Sequence, residues 1–178
     1  MAEIFVISDT HFQHENIIKY CNRPFKDVTE MDETMIENWN KVVTPQDKVY
    51  HLGDVFMGNP ETAGRILERL NGKKRLILGN HDQGKSVVLQ KHFQKIDVWR
   101  MFPEFGLLLT HIPVHPQSSH RAEHRIREDG SVEKIEYNLV NVFGHIHNNQ
   151  PAPPGPYKCV CVELMNYTPI NIEELRVK

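Results

Sequence analysis

Five short segments bring together side chains that could hold a metal ion or a phosphate group: Asp9-Thr10-His11, Gly53-Asp54, Gly79-Asn80-His81-Asp82, His111 and Gly144-His145-Ile146-His147. Asp9 and His11 stand two residues apart, so they share a side of an extended chain or converge where it turns. In isolation the pair equally suits a capping Asp beside a surface His. Gly53-Asp54 alone is an ordinary turn. The third segment is more pointed, because Gly79 allows a sharp turn, Asn80 offers a neutral oxygen, and His81 has a carboxylate neighbour that could fix its tautomer. A lone His111 after an apolar run reads as a hydrogen-bonded edge residue, whereas His145 and His147, one residue apart, could serve adjacent ions. Taken together, Asp9, His11, Asp54, Asn80, His111, His145 and His147 are too many donors for one tetrahedral zinc site. Oxygen and imidazole without cysteine suit borderline divalent ions: manganese foremost, with iron, zinc, nickel or cobalt as alternatives. Two ions sharing one carboxylate is the economical reading.

The elements that must position these groups are visible as short apolar, β-branched runs at 4–7, 49–52, 76–78, 107–109 and 140–143, each ending at one of the five segments. Strands that deliver polar groups at their C-terminal ends match the place where open sheets bind ligands. Between them, Thr29 can cap a helix carrying Met31, Met35, Trp39 and Val42 or Val43, stopped by Pro45. Asn59-Pro60 opens a second, with Ile66, Leu67 and Leu70, closing at Asn71-Gly72. A weaker third spans 85–93. Further strands are expected at 96–101, 106–110, 139–144 and 157–164, giving a mixed α and β chain. The charged stretch 117–136 and the proline-rich 151–156 read as exposed connections, the former as a solvated hairpin.

A chain of 178 residues, 39% hydrophobic, fits one domain over 1–178. A formal net charge of −2 lacks the basic excess of dedicated nucleic-acid binders, so a nucleic-acid substrate is unsupported rather than excluded. Met1 to Ile7 read as a strand rather than a leader, and no run reaches transmembrane length, so no membrane partner is expected. Cys21, Cys159 and Cys161 form no zinc-knuckle spacing and point to a reducing compartment, the cytoplasm by default. Cys159 and Cys161 sit at period two, as one face of a strand. His14, His51, His92, His115, His120 and His124 lie off the five segments and are read as surface or packing residues.

The ordered set D-T-H, G-D, G-N-H-D, H and G-H-I-H resembles the signature of the calcineurin-like metallophosphoesterases, from Asp9 to His147. The text around it, residues 9–25 (DTHFQHENIIKYCNRPF) and 162–169 (VELMNYTP), is similar to a short bacterial and phage subgroup. The resemblance implies a four-layer α/β/β/α sandwich of two mixed sheets flanked by helices. It implies that Asp9, His11 and His147 bind one metal, that Asn80, His111 and His145 bind the other, and that Asp54 bridges them. The expected activity is hydrolysis of a phosphate ester, a phosphodiester foremost, by in-line attack of a metal-bound hydroxide. His81 would protonate or stabilise the departing oxygen, with Asp82 or another carboxylate raising its basicity. Asn80, His81 and Arg23 are the substrate-binding candidates, Arg23 for its bidentate fit to phosphate against a surface ion pair. The expected substrate is a small phosphate ester or a nucleotide. The alternatives are a phosphomonoesterase or nucleotide hydrolase, and a non-catalytic binding scaffold on the same fold; oligomeric state is left open.

Overall fold

Residues 2–149 and 152–177 are described by a computed structural model. Alternation of apolar residues on β1 (Ile4–Ile7) buries both its faces: Phe5 and Ile7 join one core cluster, Val6 another. A strand apolar on both sides must lie inside, with a layer above and below. After α1 (Glu15–Tyr20) and α2 (Val28–Val42) the chain returns as β2 (Lys48–His51), then α3 (Pro60–Arg69), β3 (Lys73–Ile77), α4 (Val87–His92) and β4 (Lys95–Asp97). These four strands run parallel in the order β1-β2-β3-β4, and register places Ile7, His51 and Leu76 level with one another. The loops that follow them therefore emerge side by side.

One residue separates β4 from the first strand of the second sheet. The apolar run at 96–101, expected as one strand, is two: Asp97 closes β4, and Trp99 opens β5 (Trp99–Phe102), with Val98 between them. Period-two patterning reports burial, not which sheet a strand joins, so the switch leaves no local trace. A 3-10 turn leads to β6 (Leu107–Thr110), antiparallel to β5. Then comes a hairpin, β7 (His120–Ile126) and β8 (Val132–Asn138), which forms a two-stranded sheet of its own. β9 (Val140–Phe143) and β10 (Tyr157–Cys159) complete a four-stranded sheet, ordered β10-β9-β6-β5. The run expected at 157–164 also changes sheet: β10 pairs with β9, Cys161 bridges to Ser8, and Val162–Leu164 coil into a 3-10 turn. β11 (Ile170–Asn171) adds antiparallel to β1, and α5 (Ile172–Leu175) follows. Both main sheets are thus mixed, as the resemblance implies. Pro151 lies outside the described residues; 152–156 contain no strand, as their prolines require.

Two cores result. Val6, Tyr50, Leu52, Ile77, Leu107 and Val142 pack between the sheets. On the other side of the five-stranded sheet, Met31, Met35, Ile36 and Trp39 of α2, with Ile66 and Leu67 of α3, cover Phe5, Ile7, Val49 and Leu76. The helical cover is unequal: α1 to α4 bury against the five-stranded sheet, while the short α5 packs with the cluster between the sheets. Capping follows local chemistry. Asn59 accepts from the amides of Glu61 and Thr62 ahead of Pro60, as expected. α2, however, is capped by Asp27, two residues before Thr29, through the amide of Glu30. An ionised carboxylate at a helix N-terminus also meets the positive end of the helix dipole. The hairpin at 120–138 is exposed and mixed in charge, consistent with the solvated hairpin read from the sequence.

His51, at the end of β2, is a packing residue of a particular kind. The amide of Gly53 donates to its Nδ1 (3.2 Å), so its Nε2 carries the proton and donates to Thr10 Oγ1 (2.9 Å), whose hydroxyl donates to the carbonyl of Val55 (2.7 Å). Burial holds this imidazole down to about 3, with the neighbouring His111 charge adding to the effect. Below 6.5 the unfolded chain takes up a proton that the folded one refuses, so this contribution is complete above 6.5 and is lost as pH falls toward about 3. In chelator, urea denaturation between pH 6 and 4 should show wild type losing about 1.4 kcal/mol per pH unit more than His51→Gln; equal slopes would contradict the assignment.

Candidate metal centre

The seven donors follow five strands: Asp9 and His11 follow β1, Asp54 follows β2, Asn80 follows β3, His111 follows β6, and His145 and His147 follow β9. The parallel registers within each sheet bring these ends to one side of the sandwich. There the ligand atoms of Asp9, His11 and His147 lie within 4.8 Å of one another, as do those of Asp54, His111 and His145. Asp54 Oδ2 is 3.6 Å from His11 Nε2 and 3.6 Å from His111 Nε2, and so stands between the two groups. Asn80 Oδ1 reaches His111 Nε2 at 2.8 Å and His145 Nδ1 at 2.9 Å.

Each carboxylate divides its oxygens between two tasks. Asp9 Oδ2 accepts from the Ser8 hydroxyl and from the amide of His145 (2.9 Å), while Oδ1 is buried with no hydrogen-bond partner. Asp54 Oδ1 accepts from the amide of His81 (2.9 Å), leaving Oδ2 toward the histidines. This closeness of backbone and carboxylate explains two glycines. A Cβ on Gly79 would run into Asp54 Oδ1, and one on Gly144 into Ser8 Oγ and Asp9 Oδ2. The backbone is strained where the donors sit: Asp9, His11, Asp54, His145 and His147 all adopt left-handed φ values between 47° and 69°. Such conformations cost non-glycine residues roughly 1–3 kcal/mol each and collect at functional sites.

The imidazoles are oriented from behind. His111 Nδ1 donates to the carbonyl of Leu52 (2.7 Å), which turns Nε2 toward Asn80 and Asp54. In the neutral ring that nitrogen and the Asn80 oxygen present lone pairs to each other, a contact that a cation between them would resolve. His147 Nδ1 donates to Glu163 Oε1 (2.9 Å) and aims Nε2 at Asp9 Oδ1 (3.8 Å). Burial pushes the Asp9 carboxyl up, against the pull of the His111 and His147 charges. Burial, with the charges of His147 and Arg23, holds His11 down to about 2. For His147 burial acts downward, but hydrogen bonds to Cys21 and Glu163 and the charges of Glu163 and Asp9 outweigh it and push the group up to about 10. The donor set fits divalent ions: both ring nitrogens of His11 and Asp9 Oδ1 are buried without partners, and a cation would supply the missing interaction.

Two expectations need correction. Arg23 is not placed to touch phosphate. It is 4% exposed, donates to the carbonyls of Asp9 (2.8 Å) and Thr10 (2.9 Å), and binds Glu163 Oε1 through Nε (2.9 Å) and Nη2 (2.7 Å). Those four bonds leave its guanidinium facing inward, and it holds the Asp9 loop and, through Glu163, His147. Nor does Asp82 serve His81. Its Oδ2 accepts from the amides of Asp54 (2.8 Å) and Gly79 (2.9 Å), and Oδ1 from that of Val55 (3.0 Å), so both oxygens clamp the loops after β2 and β3 together. His81 itself is exposed, its ring 5.7 Å from that of His11 and nearly perpendicular to it. Glu163 escaped sequence reading as a site residue, although it lies in the 162–169 segment that carries the subgroup resemblance. Among the off-signature histidines, His14 packs beside His11, ring to ring at 5.4 Å.

An α/β protein whose strand ends converge on two carboxylate–imidazole groups, with the carboxylate of one standing between the histidines of both, belongs to a class built around divalent metal ions. The chain is a member of the calcineurin-like phosphoesterase superfamily, whose family model matches residues 2–157. It is 36% identical to an uncharacterized protein of Methanocaldococcus jannaschii over 181 residues, covering 97% of this chain and 89% of that one. It is 29% identical to the gene 66 protein of Mycobacterium phage L5, covering 83% of this chain and 79% of the other, which accords with the short phage and bacterial subgroup. The crystal structure of a protein of unknown function from Aquifex aeolicus superposes with a TM-score of 0.72 at 28% identity, over 98% of both chains. Family and donor groups together support a metal-dependent phosphoesterase. Among the described residues no helix is long and apolar enough to cross a membrane.

The placement of Arg23 makes a distinctive forecast. Arg23→Ala should lower unfolding free energy by about 3–5 kcal/mol, since it removes one partner of a buried ion pair and leaves Glu163 with His147 alone, and should reduce metal content by elemental analysis. A phosphate contact would instead raise KM with stability and metal content intact.

Proposed function

We propose that this chain is a phosphodiesterase working with two divalent ions, manganese foremost. Asp9, His11 and His147 hold one ion, Asn80, His111 and His145 the other, with Asp54 shared. Two such ions, when bound, would act as Lewis acids on the phosphoryl oxygens and make hydroxide available near neutral pH.

The observation that carries the diester reading is that two separate cavities open near the donor groups. One is bordered by Asn80 and His111, the other by His81, Asp82, Phe56 and Met57. A phosphodiester carries two substituents and needs room for both. Among the described residues neither cavity is lined by lysine or arginine, and Arg23 is turned inward, so the surroundings favour a singly charged diester over the dianion of a monoester. The substrate is accordingly a small phosphodiester or a nucleotide ester handled in the cytoplasm.

Within this arrangement His81 is the proton donor. Its exposed ring stands beside His11 on the side of the smaller cavity, where it meets the oxygen leaving toward that cavity. Its own amide is anchored on Asp54, so its backbone is fixed relative to the shared carboxylate. Asn80 sets its side-chain oxygen beside both His111 Nε2 and His145 Nδ1, so the three would hold one ion together. Asp82 keeps the two loops in register and touches no reacting atom.

With manganese, bis-p-nitrophenyl phosphate should be hydrolysed faster than p-nitrophenyl phosphate, and chelation should abolish the reaction. His81→Ala should lower kcat by about 10²- to 10⁴-fold with metal content unchanged, while Asp54→Ala should lose metal as well as rate. Faster monoester than diester hydrolysis would overturn the diester assignment, and a His81→Ala enzyme of wild-type rate would remove His81 from the chemistry.

A further inference from the structure

The larger of the two cavities is a groove of about 670 Å³, within the range of small-molecule sites. Its inner end is formed by Asn80 and His111, and it runs outward over the face of the four-stranded sheet that looks away from the inter-sheet core. Register explains its composition: Trp99 pairs with Thr110 and Met101 with Leu108, so these four side chains stand on one face. Leu78, Ile112 and Val114 add further apolar wall, and among the described residues the lining contains no Asp, Glu, Lys or Arg. Trp99 is 51% exposed, Val98 66% and Ile112 49%, so three of the large exposed hydrophobic residues meet at one place, beside the donor groups. Scattered apolar residues are unremarkable, but a contiguous patch next to a reactive centre marks a binding surface.

We infer that this groove binds one substituent of the phosphodiester, and that the substituent is an uncharged planar aromatic group such as a nucleobase. The inference rests on the phosphodiesterase reading and narrows its substrate class. The phosphate stays with Asn80 and His111 at the inner end, and the groove takes what is attached to it. A charged substituent would be desolvated there without a partner, which is unfavourable. The indole of Trp99 offers a stacking face, the arrangement by which proteins bind bases without requiring sequence. Ser118 and His120, where the β7–β8 hairpin begins, offer hydrogen-bonding groups to the edges of such a ring. A purely aliphatic chain would leave those polar groups unused.

The test compares manganese-loaded wild type with Trp99→Ala and Ile112→Ser on two diesters sharing the leaving group, thymidine 5′-(p-nitrophenyl phosphate) and methyl p-nitrophenyl phosphate. Wild type should favour the thymidine ester by about tenfold or more in kcat/KM. Both variants should lose that preference through KM, leaving the methyl ester within about twofold. Equal kcat/KM for the two esters in wild type, or a parallel fall on both in the variants, overturns the inference. Should wild type hydrolyse neither ester, the phosphodiesterase reading fails, and the groove is still decided by fluorescence. Trp39 is buried and Trp99 is not, so saturable quenching by thymidine 5′-monophosphate but not methyl phosphate, absent in Trp99→Ala, supports it; no quenching overturns it. A change of oligomeric state in the variants, with neither substrate nor quenching affected, would instead assign the groove to a second copy of the chain.

Discussion

Everything at the centre depends on how two carboxylates divide their oxygens. Asp9 and Asp54 each give one oxygen to neighbouring backbone amides and keep the other for the donor group. A carboxylate free at both oxygens would rotate; one bonded at both would have nothing left to bind with. To reach the first set of amides, the chain must pass so close that Gly79 and Gly144 have no room for a side chain. The donors themselves must take left-handed backbone angles. That strain persists because the strand leading into each loop is buried and hydrogen-bonded in register, so relaxing the loop would displace the sheet.

The surrounding residues form a graded shell of charge. Innermost are buried groups whose ionisation burial opposes, Asp9 and His11. Behind them sits Glu163, hydrogen-bonded to His147 and ion-paired with Arg23 at 2.7 Å. Arg23 also takes the carbonyls of Asp9 and Thr10, so one guanidinium neutralises a carboxylate and fixes a loop. Removing a pair of charges from water is unfavourable unless every donor and acceptor is met. Here the guanidinium's partners are two carbonyls, a carboxylate and the Met31 sulfur, which spreads its hydrogen bonds around the fork, while Glu163 Oε2 is buried without a partner. Asp82 plays the corresponding part on the other side, with three amides and no cation.

The parts legible in the sequence were those with a local period. Short continuous apolar runs that end in Asp, Asn or His marked the strands and their C-terminal donors, and Asn59-Pro60 marked a helix start. Relations spanning the chain were not legible. Arg23 and Glu163 lie 140 positions apart, and nothing near Arg23 distinguishes a buried ion pair from a phosphate contact. Asp82 follows His81 directly, and adjacency suggested a partnership; yet consecutive side chains at a tight turn point in different directions, and this one points back to Gly79. The run at 96–101 reads as continuous because apolar alternation is the same whichever sheet receives it. Capping failed for a smaller reason, since Asp27 and Thr29 are both good caps and only the amide geometry chooses between them.

The β7–β8 hairpin stands apart from both main sheets, paired residue for residue with itself from His120–Asn138 to Ile126–Val132. Lengthening or shortening it by matched pairs would change no register in the sandwich and move none of the donors. It is therefore a module in which variation is decoupled from the reaction centre, and natural or laboratory evolution could reshape the rim of the neighbouring groove there while the catalytic architecture is inherited unchanged.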